Sequence, residues 1–505
     1  MRDLFDLYKP LRNKIAELAY LDSFRVLWAY CQFLQIKNFK IPEDIEVHED
    51  VLAAKKPNII HEWELEMLAT EAALNGGYGN RKNKTLRQWS TFAAITQGLR
   101  DLEGEVYARH GDATKILMYL NKIIFRQVIW QNFPMRTKEL TRQYKIFNTA
   151  EINKICKSKL DLSVYQIFFV GLLFTGIYLE NPSAKYPPKI EIDNLTLDMI
   201  DAFLAFTSLS LSALKKKIKP DHSIDELYGY RFSWLRAYPI IRLSACGEEL
   251  LACPMPTLLF WRMTKGLYYE LINERGFDNA FGASFEQYMG EVITVFVKNK
   301  KFKIVPEKKY IAGKNNKATT DWIVDDGGST LFIECKIKRM TIEAKAFANN
   351  LENLSSDISK LADAVVQLYA TIIDYQSGLY PDYPHNPDKK IYPLVVTLED
   401  WLLFGEGLKL LDDNVRAKLN DQGRDVSVLD EMPYSIMSSD EFETAIGIIN
   451  QVGIDAFIGG KVRCDEYKNW HYFNYTREVH KEAMKDIKPP FNEEFDKLFK
   501  EFSNT

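Results

Sequence analysis

The stretch that most constrains this chain is TTDWIVDDGGSTLFIECKIKR, from Thr319 to Arg339, in which two short apolar runs flank the tetrapeptide DDGG. Aspartate–glycine and glycine–glycine pairs favour tight hairpin turns because these turns need positive φ angles. The stretch therefore predicts a β-hairpin. The register of that hairpin decides whether the two acids near its ends, Asp321 and Glu334, lie side by side.

Two even registers bring these acids onto one face of the hairpin. If Gly327 and Gly328 form a two-residue turn, Asp321 lies directly opposite Glu334. If Asp326 and Gly327 form the turn, Asp321 lies diagonally from Glu334 on the same face. An odd loop or a bulge would break this relation, because side chains alternate between the faces of a strand.

The same alternation places Lys336 beside Glu334 and turns Cys335 to the other face, where it is expected to be a small core residue. Two carboxylates and an ammonium then share one patch. Neighbouring carboxylates repel each other, and a divalent cation that prefers hard oxygen ligands, Mg²⁺ or Mn²⁺, would neutralise them. The alternative is a solvated cluster of acids and lysine on an exposed face of the sheet.

The rest of the chain divides into regions of different pattern. Residues 1–275 contain long stretches with helical apolar periodicity and few alternating runs. Residues 276–460 give a helix, three strand-like runs, a long helix and further strands and helices, with a loop at Gly313 to Lys317. Residues 461–505 indicate a C-terminal helical extension. The predicted fold class is α+β or α/β, with a mostly helical first half followed by a mixed sheet flanked by helices.

The helix before the hairpin offers a further acid. Its apolar stripe consists of Phe285, Met289, Val292, Ile293 and Phe296. At about 100° per residue, Glu286 flanks this stripe, whereas Glu291 lies on the solvent side. A side chain at the edge of the stripe can reach a site under the helix, so Glu286 is the candidate. The alternative is a surface glutamate favoured by the helix dipole in the first turn.

In this arrangement the sequence resembles the PD-(D/E)XK, or restriction-endonuclease-like, nuclease superfamily over roughly Phe281 to Ser438. The matching parts are FEQY at the start of the helix, TDW on the second strand, IECK on the third, and the long helix around VVQLY. Thr320 stands where the family usually has a proline before the aspartate. The resemblance implies a restriction-endonuclease-like core.

The resemblance also implies an activity, that of a Mg²⁺- or Mn²⁺-dependent phosphodiesterase and most readily a DNA endonuclease. Asp321, Glu334 and Glu286 would hold the metal, together with the backbone carbonyl of Cys335. The metal would polarise the phosphate and lower the pKa of a bound water. Lys336 would position or help deprotonate that water and stabilise charge on the phosphate.

Basic residues surround the predicted site. Between Phe296 and Lys345, twelve lysines and arginines stand against six acids, a local excess of six positive charges in a chain of net charge −4. Such an excess suits a polyanion, so nucleic acid is the expected partner, DNA rather than RNA, with Lys338 and Arg339 as backbone contacts. A solvated lysine-rich face is the alternative. Gln367 resembles a glutamine of some superfamily branches, with an ordinary exposed glutamine as the alternative.

Other features bear on the compartment. The six cysteines are scattered without a CxxC pair, which favours a reducing compartment over a disulfide framework or zinc ribbon. The first thirty residues resemble ordinary helix rather than a signal peptide. The uncharged stretch from Ser163 to Leu179 falls short of the ~20 apolar residues of a membrane span. It is predicted to be a buried helix, and the protein is expected to be cytoplasmic.

The predicted function is therefore a metal-dependent nuclease. A role in restriction or phage defence is implied only by analogy with other proteins of this kind. Two alternatives remain: a non-catalytic nucleic-acid-binding or regulatory module on a nuclease-like fold, and an interaction scaffold formed by the helical half. Because residues 1–275 carry no catalytic set, they are expected to recognise a partner, trigger or substrate, or to mediate self-association.

Overall fold

The computed structural model describes residues 3–53, 59–77, 84–110, 123–124, 126–127, 130, 135–189, 192–225, 227–245, 247–297, 301–339, 351–380, 382–494 and 497. The chain forms two compact units, the first ending at Phe277 and the second running from Asp278 to Lys497. Both units combine helices with sheet, in agreement with the predicted mixed class.

The first unit is mainly helical. Its helices α1 to α13 are Leu4–Ala16, Tyr20–Gln35, Glu49–Ala53, Glu62–Asn75, Trp89–His110, Thr137–Phe147, Ala150–Leu160, Val164–Glu180, Leu197–Thr207, Leu211–Asp221, Trp234–Ala237, Pro256–Met263 and Lys265–Leu271. Apolar side chains of α1, α2, α4 and α5 are buried together in one core. Tertiary burial of these apolar faces, rather than helix propensity alone, stabilises helices of this length.

A four-stranded sheet accompanies these helices, which the helical pattern of residues 1–275 did not predict. Its strands β1 to β4 are Ser183–Tyr186, Ser208–Ser210, Ile240–Ala245 and Glu248–Ala252, in the order β1-β4-β3-β2. Strands β2 and β3 are parallel, and the other neighbouring pairs are antiparallel. These strands are too short to show a sustained alternation, and β1 pairs with a segment far along the chain, so the local pattern does not reveal them.

Helix α8 corresponds to the uncharged stretch and is helical as predicted. A capping box begins it: Ser163 Oγ accepts from the backbone N–H of Gln166 at 3.2 Å, and Gln166 Oε1 accepts from that of Ser163 at 2.8 Å. Phe168, Phe174 and Tyr178 are fully buried. Among the described helices none alone is long and apolar enough to cross a membrane, although α7 and α8, bent by 64°, meet that test as a pair.

The second unit follows the predicted order of helix, strands, helix and strands. Its helices α14 to α21 are Phe277–Phe296, Leu351–Gln376, Glu406–Asp421, Val428–Glu431, Ser439–Val452, Gly460–Val462, Tyr472–Val479 and Lys481–Lys485, with a π-helical turn at Asp455–Gly459. Its strands β5 to β11 are Lys303–Pro306, Lys309–Ala312, Asn315–Ala318, Trp322–Asp325, Ser329–Lys336, Lys390–Thr397 and Ser435–Ser438.

Five of these strands form a mixed sheet in the order β11-β10-β9-β8-β5. Strands β9, β10 and β11 are parallel, whereas β8 is antiparallel to both of its neighbours. Strands β6 and β7 form a separate hairpin, and β7 occupies most of the stretch where a loop was expected. Gly313, with a φ of +64°, provides the left-handed backbone that this hairpin turn needs.

The β8–β9 hairpin has the first of the two predicted registers. Trp322 pairs with Ile333, so the turn is centred on Gly327 and Gly328. Gly327 takes a φ of +95°, and Asp326 Oδ1 accepts a hydrogen bond from the backbone N–H of Gly328 at 3.1 Å. The predicted hairpin and this register are therefore confirmed.

Helix α14 packs against the sheet through the side chain of Trp322. The indole Nε1–H donates to the carbonyl oxygen of Glu286 at 3.0 Å. About one turn later along the helix stands Gly290, where a Cβ would lie 2.0 Å from an indole carbon. Since no real Cβ tolerates such a contact, a glycine at this position is what allows the ring to lie so close to the helix.

The predicted C-terminal extension packs on the second unit in its described part. The backbone N–H of Phe473 donates to Glu441 Oε1 at 3.0 Å, and the hydroxyls of Tyr472 and Ser435 lie 2.6 Å apart. These contacts join α20 to α18 and β11. The extension therefore belongs to the same compact unit as the sheet, up to Lys497.

The close contact of α14 with the indole predicts a specific cost of adding one methyl group. Gly290→Ala should lower the free energy of unfolding by about 1–3 kcal/mol, because the new Cβ overpacks the ring. Gly282→Ala in the same helix is the matched control, since a Cβ there meets no described atom within 4 Å. The control should raise stability by roughly 0.5–1 kcal/mol through helix propensity.

Urea-induced unfolding of the two variants, followed by circular dichroism, measures both changes. Equal effects of Gly290→Ala and Gly282→Ala would contradict the close packing of the helix on Trp322.

Candidate active site

The hairpin register brings Asp321 and Glu334 together. Asp321 immediately precedes β8, and one further step of the register places it opposite Glu334. Directly opposed residues have Cβ atoms ~4.5–5.5 Å apart. Asp321 Oδ2 also accepts from the backbone N–H of Cys335 at 2.6 Å, which fixes the carboxylate at the end of the strand. Cys335 itself is buried, as expected, and burial raises the pKa of its thiol.

Lys336 joins this pair from the same strand. Its Nζ donates to Glu334 Oε1 at 2.7 Å. The side chain of Glu334 is 3% exposed and that of Lys336 24% exposed, so the ammonium lies between a buried carboxylate and solvent. Burial acts to lower the pKa of Lys336, but the charge of Glu334 and its hydrogen bond raise that pKa above the ordinary value. The lysine is therefore a lasting positive charge in the site.

The carboxylates of the site raise one another's pKa. Burial, followed by the charge of Glu334, raises the pKa of Asp321 to about 7. Burial, followed by the charges of Asp321 and Glu307, raises the pKa of Glu286 to about 7 as well. Burial raises the pKa of Glu334 against the opposing charge of Lys336. The site thus carries more negative charge than the single lysine offsets.

Helix α14 presents its acids as the stripe geometry predicted. Phe285 and Met289 of the apolar stripe are fully buried, and Glu286 beside them is half-buried. Its pKa responds to the charge of Asp321, which places its carboxylate at the site. Glu291 instead accepts a hydrogen bond from Gln287 Nε2 at 3.0 Å in an exposed position. The structure therefore brings Glu286 to the hairpin acids.

A fourth carboxylate, that of Glu307, belongs to the same group and was not predicted as a site residue. Pro306 pairs with Trp322 across β5 and β8, so the next step of that register sets Glu307 opposite Asp321. Glu307 is exposed, and its charge raises the pKa of both Asp321 and Glu286. The sequence suggested a strand there, but the acid could be recognised only once the pairing of β5 with β8 was known.

The predicted phosphate contacts differ from each other in the structure. Lys338 is exposed just after β9, as contact with a phosphate backbone requires. The side chain of Arg339 is only 4% exposed, and its Nη1 lies 3.2 Å from Glu399 Oε1. This buried ion pair withdraws the guanidinium from the surface, which corrects the expectation for Arg339. Gln367 is exposed on α15, as an ordinary surface glutamine would be.

Some of the basic residues counted between Phe296 and Lys345 are neutralised in the structure by acids from elsewhere in the chain. Three of the basic residues, Lys298, Lys300 and Lys345, lie outside the described residues. Of the others, Lys308 pairs with Asp382 at 2.8 Å and Lys317 with Asp374 at 2.6 Å. Acids from beyond the counted segment therefore offset two of its lysines.

A second charged cluster, Asp400, Glu441 and His471, lies beyond the end of β10 and was missed by sequence reasoning. By position these side chains could hold a metal ion. However, His471 Nε2 lies 3.0 Å from Asp400 and Nδ1 lies 2.8 Å from Glu441. Burial lowers the pKa of His471, but the two carboxylates raise it to about 11. A protonated ring donates from both nitrogens and leaves no lone pair for a metal. The cluster is an ion triad.

The hairpin site has the composition that a divalent cation requires. The side chains of Asp321, Glu334, Glu286 and Glu307 supply the hard oxygen donors that Mg²⁺ and Mn²⁺ prefer. Burial, together with the charge of neighbouring acids, raises the pKa of Asp321, Glu286 and Glu334, and a cation would relieve the repulsion among them. The residues present therefore fit Mg²⁺ or Mn²⁺.

In comparisons of the chain with family models, with curated proteins and with solved structures, nothing matches.

The raised pKa of Asp321 predicts how stability changes with pH in the metal-free protein. Because this pKa is about 7, above the ordinary 3.8, the folded protein binds more protons than the unfolded chain between these pH values. The contribution of Asp321 to stability therefore falls as pH rises through this window. In EDTA, Asp321→Asn should gain stability relative to wild type between about pH 4 and about pH 8.

Urea unfolding of wild type and Asp321→Asn at both pH values measures this difference. A difference that does not change with pH would contradict the shifted pKa.

The ion triad predicts a dependence of the same sign in a higher pH range. Since the folded-state pKa of His471 is about 11, above the ordinary 6.5, its charge contributes fully below pH 6.5 and is lost as pH rises toward 11. His471→Gln should therefore destabilise the protein more at about pH 6 than at about pH 10. A melting temperature of wild type that rises with Zn²⁺, but not in the variant, would instead favour a metal site.

Proposed function

We propose that the second unit is a metal-dependent nuclease on a restriction-endonuclease-like core, acting on DNA by hydrolysis of phosphodiester bonds. One observation carries this proposal. Asp321, Glu334 and Lys336 meet at the end of one hairpin, through the register of β8 with β9 and the 2.7 Å contact of Lys336 with Glu334. This is the set of side chains on which the resemblance to the PD-(D/E)XK nucleases depends.

The acids would hold the cation. Asp321 and Glu334 lie opposite each other and Glu286 approaches from α14, so each can offer a carboxylate oxygen. When bound, Mg²⁺ or Mn²⁺ would supply charge neutralisation of the phosphate and activation of water. The acids themselves would hold such an ion beside Lys336.

Lys336 would act on the phosphate and the attacking water. Its pKa is raised above the ordinary value, so the ammonium donates hydrogen bonds and does not act as a base in its resting state. From its partly exposed position it can orient a water molecule and stabilise negative charge that develops on the phosphate oxygens. Glu334 holds this ammonium in place through the hydrogen bond that the two share.

The positive charge beside the site supports nucleic acid as the substrate. Phosphodiesters of nucleic acid are polyanions, and the exposed Lys338 follows directly after the strand that carries Glu334 and Lys336. The proposal names DNA rather than RNA because the resemblance to the PD-(D/E)XK nucleases implies a DNA endonuclease. The first unit would recognise a partner, trigger or substrate, or mediate self-association.

Removing the site residues one at a time should abolish cleavage. Glu334→Gln, Asp321→Asn and Lys336→Ala should each lower the cleavage rate by at least about a hundredfold, since each removes a group acting on the reacting phosphate or its cation. Plasmid, single-stranded DNA and RNA are incubated with the full chain in Mg²⁺, in Mn²⁺ and in EDTA, and the products are measured.

The matched control is Glu291→Gln, which changes an acid on the same helix as Glu286 that hydrogen-bonds Gln287 instead. It should cut at the wild-type rate. Binding of nucleic acid without cleavage under every condition would instead support the non-catalytic module. Neither binding nor cleavage would support the interaction scaffold.

A further inference from the structure

Trp322 follows the site residue Asp321 directly in sequence and points to the other face of β8. Successive side chains of a strand point in opposite directions, so the indole lies on the side of the sheet that α14 covers. Its Nε1–H donates to the backbone carbonyl oxygen of Glu286 at 3.0 Å. Two consecutive residues therefore contribute to the site in different ways. Asp321 offers its carboxylate, and Trp322 binds the backbone carbonyl of Glu286.

The contact is specific in geometry as well as in hydrogen bonding. Gly290 lies beside the ring, and a Cβ at this position would be 2.0 Å from Cζ2 and 2.4 Å from Cη2 of the indole of Trp322. The helix therefore approaches the sheet more closely here than any other residue at this position would allow. A second bond anchors the same helix, because the hydroxyl of Tyr288 donates to Glu443 Oε1 at 2.9 Å.

These contacts bear directly on the position of Glu286. Its carboxylate is half-buried and lies close enough to Asp321 and Lys336 for their charges to act on it. The hydrogen bond from Trp322 holds the backbone of the same residue, so a shift of the carbonyl oxygen would move the carboxylate too. Packing and hydrogen bonding behind a metal ligand are what set its orientation in metal sites generally.

We propose that Trp322 is a positioning residue, which fixes Glu286 toward the metal centre by bonding its backbone carbonyl in the space that Gly290 leaves. The inference rests on the proposed function, because it assumes that Glu286 is a ligand. The added claim is that the indole of Trp322, on the face of the sheet opposite Asp321, determines where this ligand lies.

Binding of Mn²⁺ to the full-length, metal-free protein tests this by isothermal titration calorimetry, without reference to cleavage. Trp322→Phe keeps an aromatic ring but removes the N–H donor, and it should weaken Mn²⁺ binding by about tenfold, as loss of a supporting contact does in other metal sites. In a background of Glu286→Gln, the same substitution should have no further effect, because the ligand it positions has already been replaced.

A second variant covers the case in which Trp322→Phe perturbs the fold. Gly290→Ala retains the indole N–H but displaces the ring, so it should also weaken Mn²⁺ binding in the wild-type background and not in Glu286→Gln. Gly282→Ala is the control in the same helix and should bind Mn²⁺ like wild type. Circular dichroism of each variant confirms that the comparison is made between folded proteins.

The outcomes distinguish failure of the positioning role of Trp322 from failure of the metal centre. If wild type binds Mn²⁺ but Trp322→Phe weakens binding equally in both backgrounds, or in neither, the positioning role is overturned and the metal centre stands. If wild type fails to bind Mn²⁺, or binds it no more tightly than Glu334→Gln does, the metal centre itself is overturned, and this inference with it.

Discussion

Asp321 and Glu334 face each other because a two-residue turn fixes the pairing of β8 with β9. The rest of the site depends on that pairing. Lys336 reaches Glu334 because it stands two residues further along the same strand, and Glu307 reaches Asp321 because β5 continues the antiparallel pairing on the other side. Glu307 directly follows β5, Asp321 directly precedes β8 and Glu334 lies in β9. The pairing of these three neighbouring strands therefore sets the three acids side by side across the sheet.

This arrangement is unfavourable for the metal-free fold and favourable for a cation. Four carboxylates stand near one lysine, and burial, followed by the charge of neighbouring carboxylates, raises the pKa of Asp321 and Glu286. Elsewhere among the described residues of the second unit, partly buried acids are paired: Asp400 and Glu441 share the charged ring of His471, and Glu399 pairs with Arg339. The contrast between paired acids and the crowded site is typical of a functional region that stability alone would not select.

The local features of the site could be predicted from the sequence, and the distant ones could not. The turn at Gly327, the alternation along β9 and the stripe that favours Glu286 each lie within one short stretch of chain, where period and turn chemistry are reliable guides. The role of Glu307 and the burial of Arg339 depend on partners elsewhere in the chain.

The same distinction explains the elements that were missed. The β1–β4 sheet pairs strands of three to six residues that are partly distant in sequence. Strand β7, with the sequence NNKA, has the polar composition of a loop and lies outside the main sheet. The triad around His471 joins the segment after β10, helix α18 and the C-terminal region, and no spacing along the chain marks it.

The turn between β8 and β9 also determines which changes of chain length the hairpin can absorb. Its tip is tied down, since Asp326 Oδ2 accepts from the backbone N–H of Ile454 at 2.8 Å. One residue inserted at the tip would turn the following strand over and exchange the faces of Glu334 and Cys335, whereas two inserted residues would keep both faces. Natural length variants of this hairpin should therefore differ in steps of two residues.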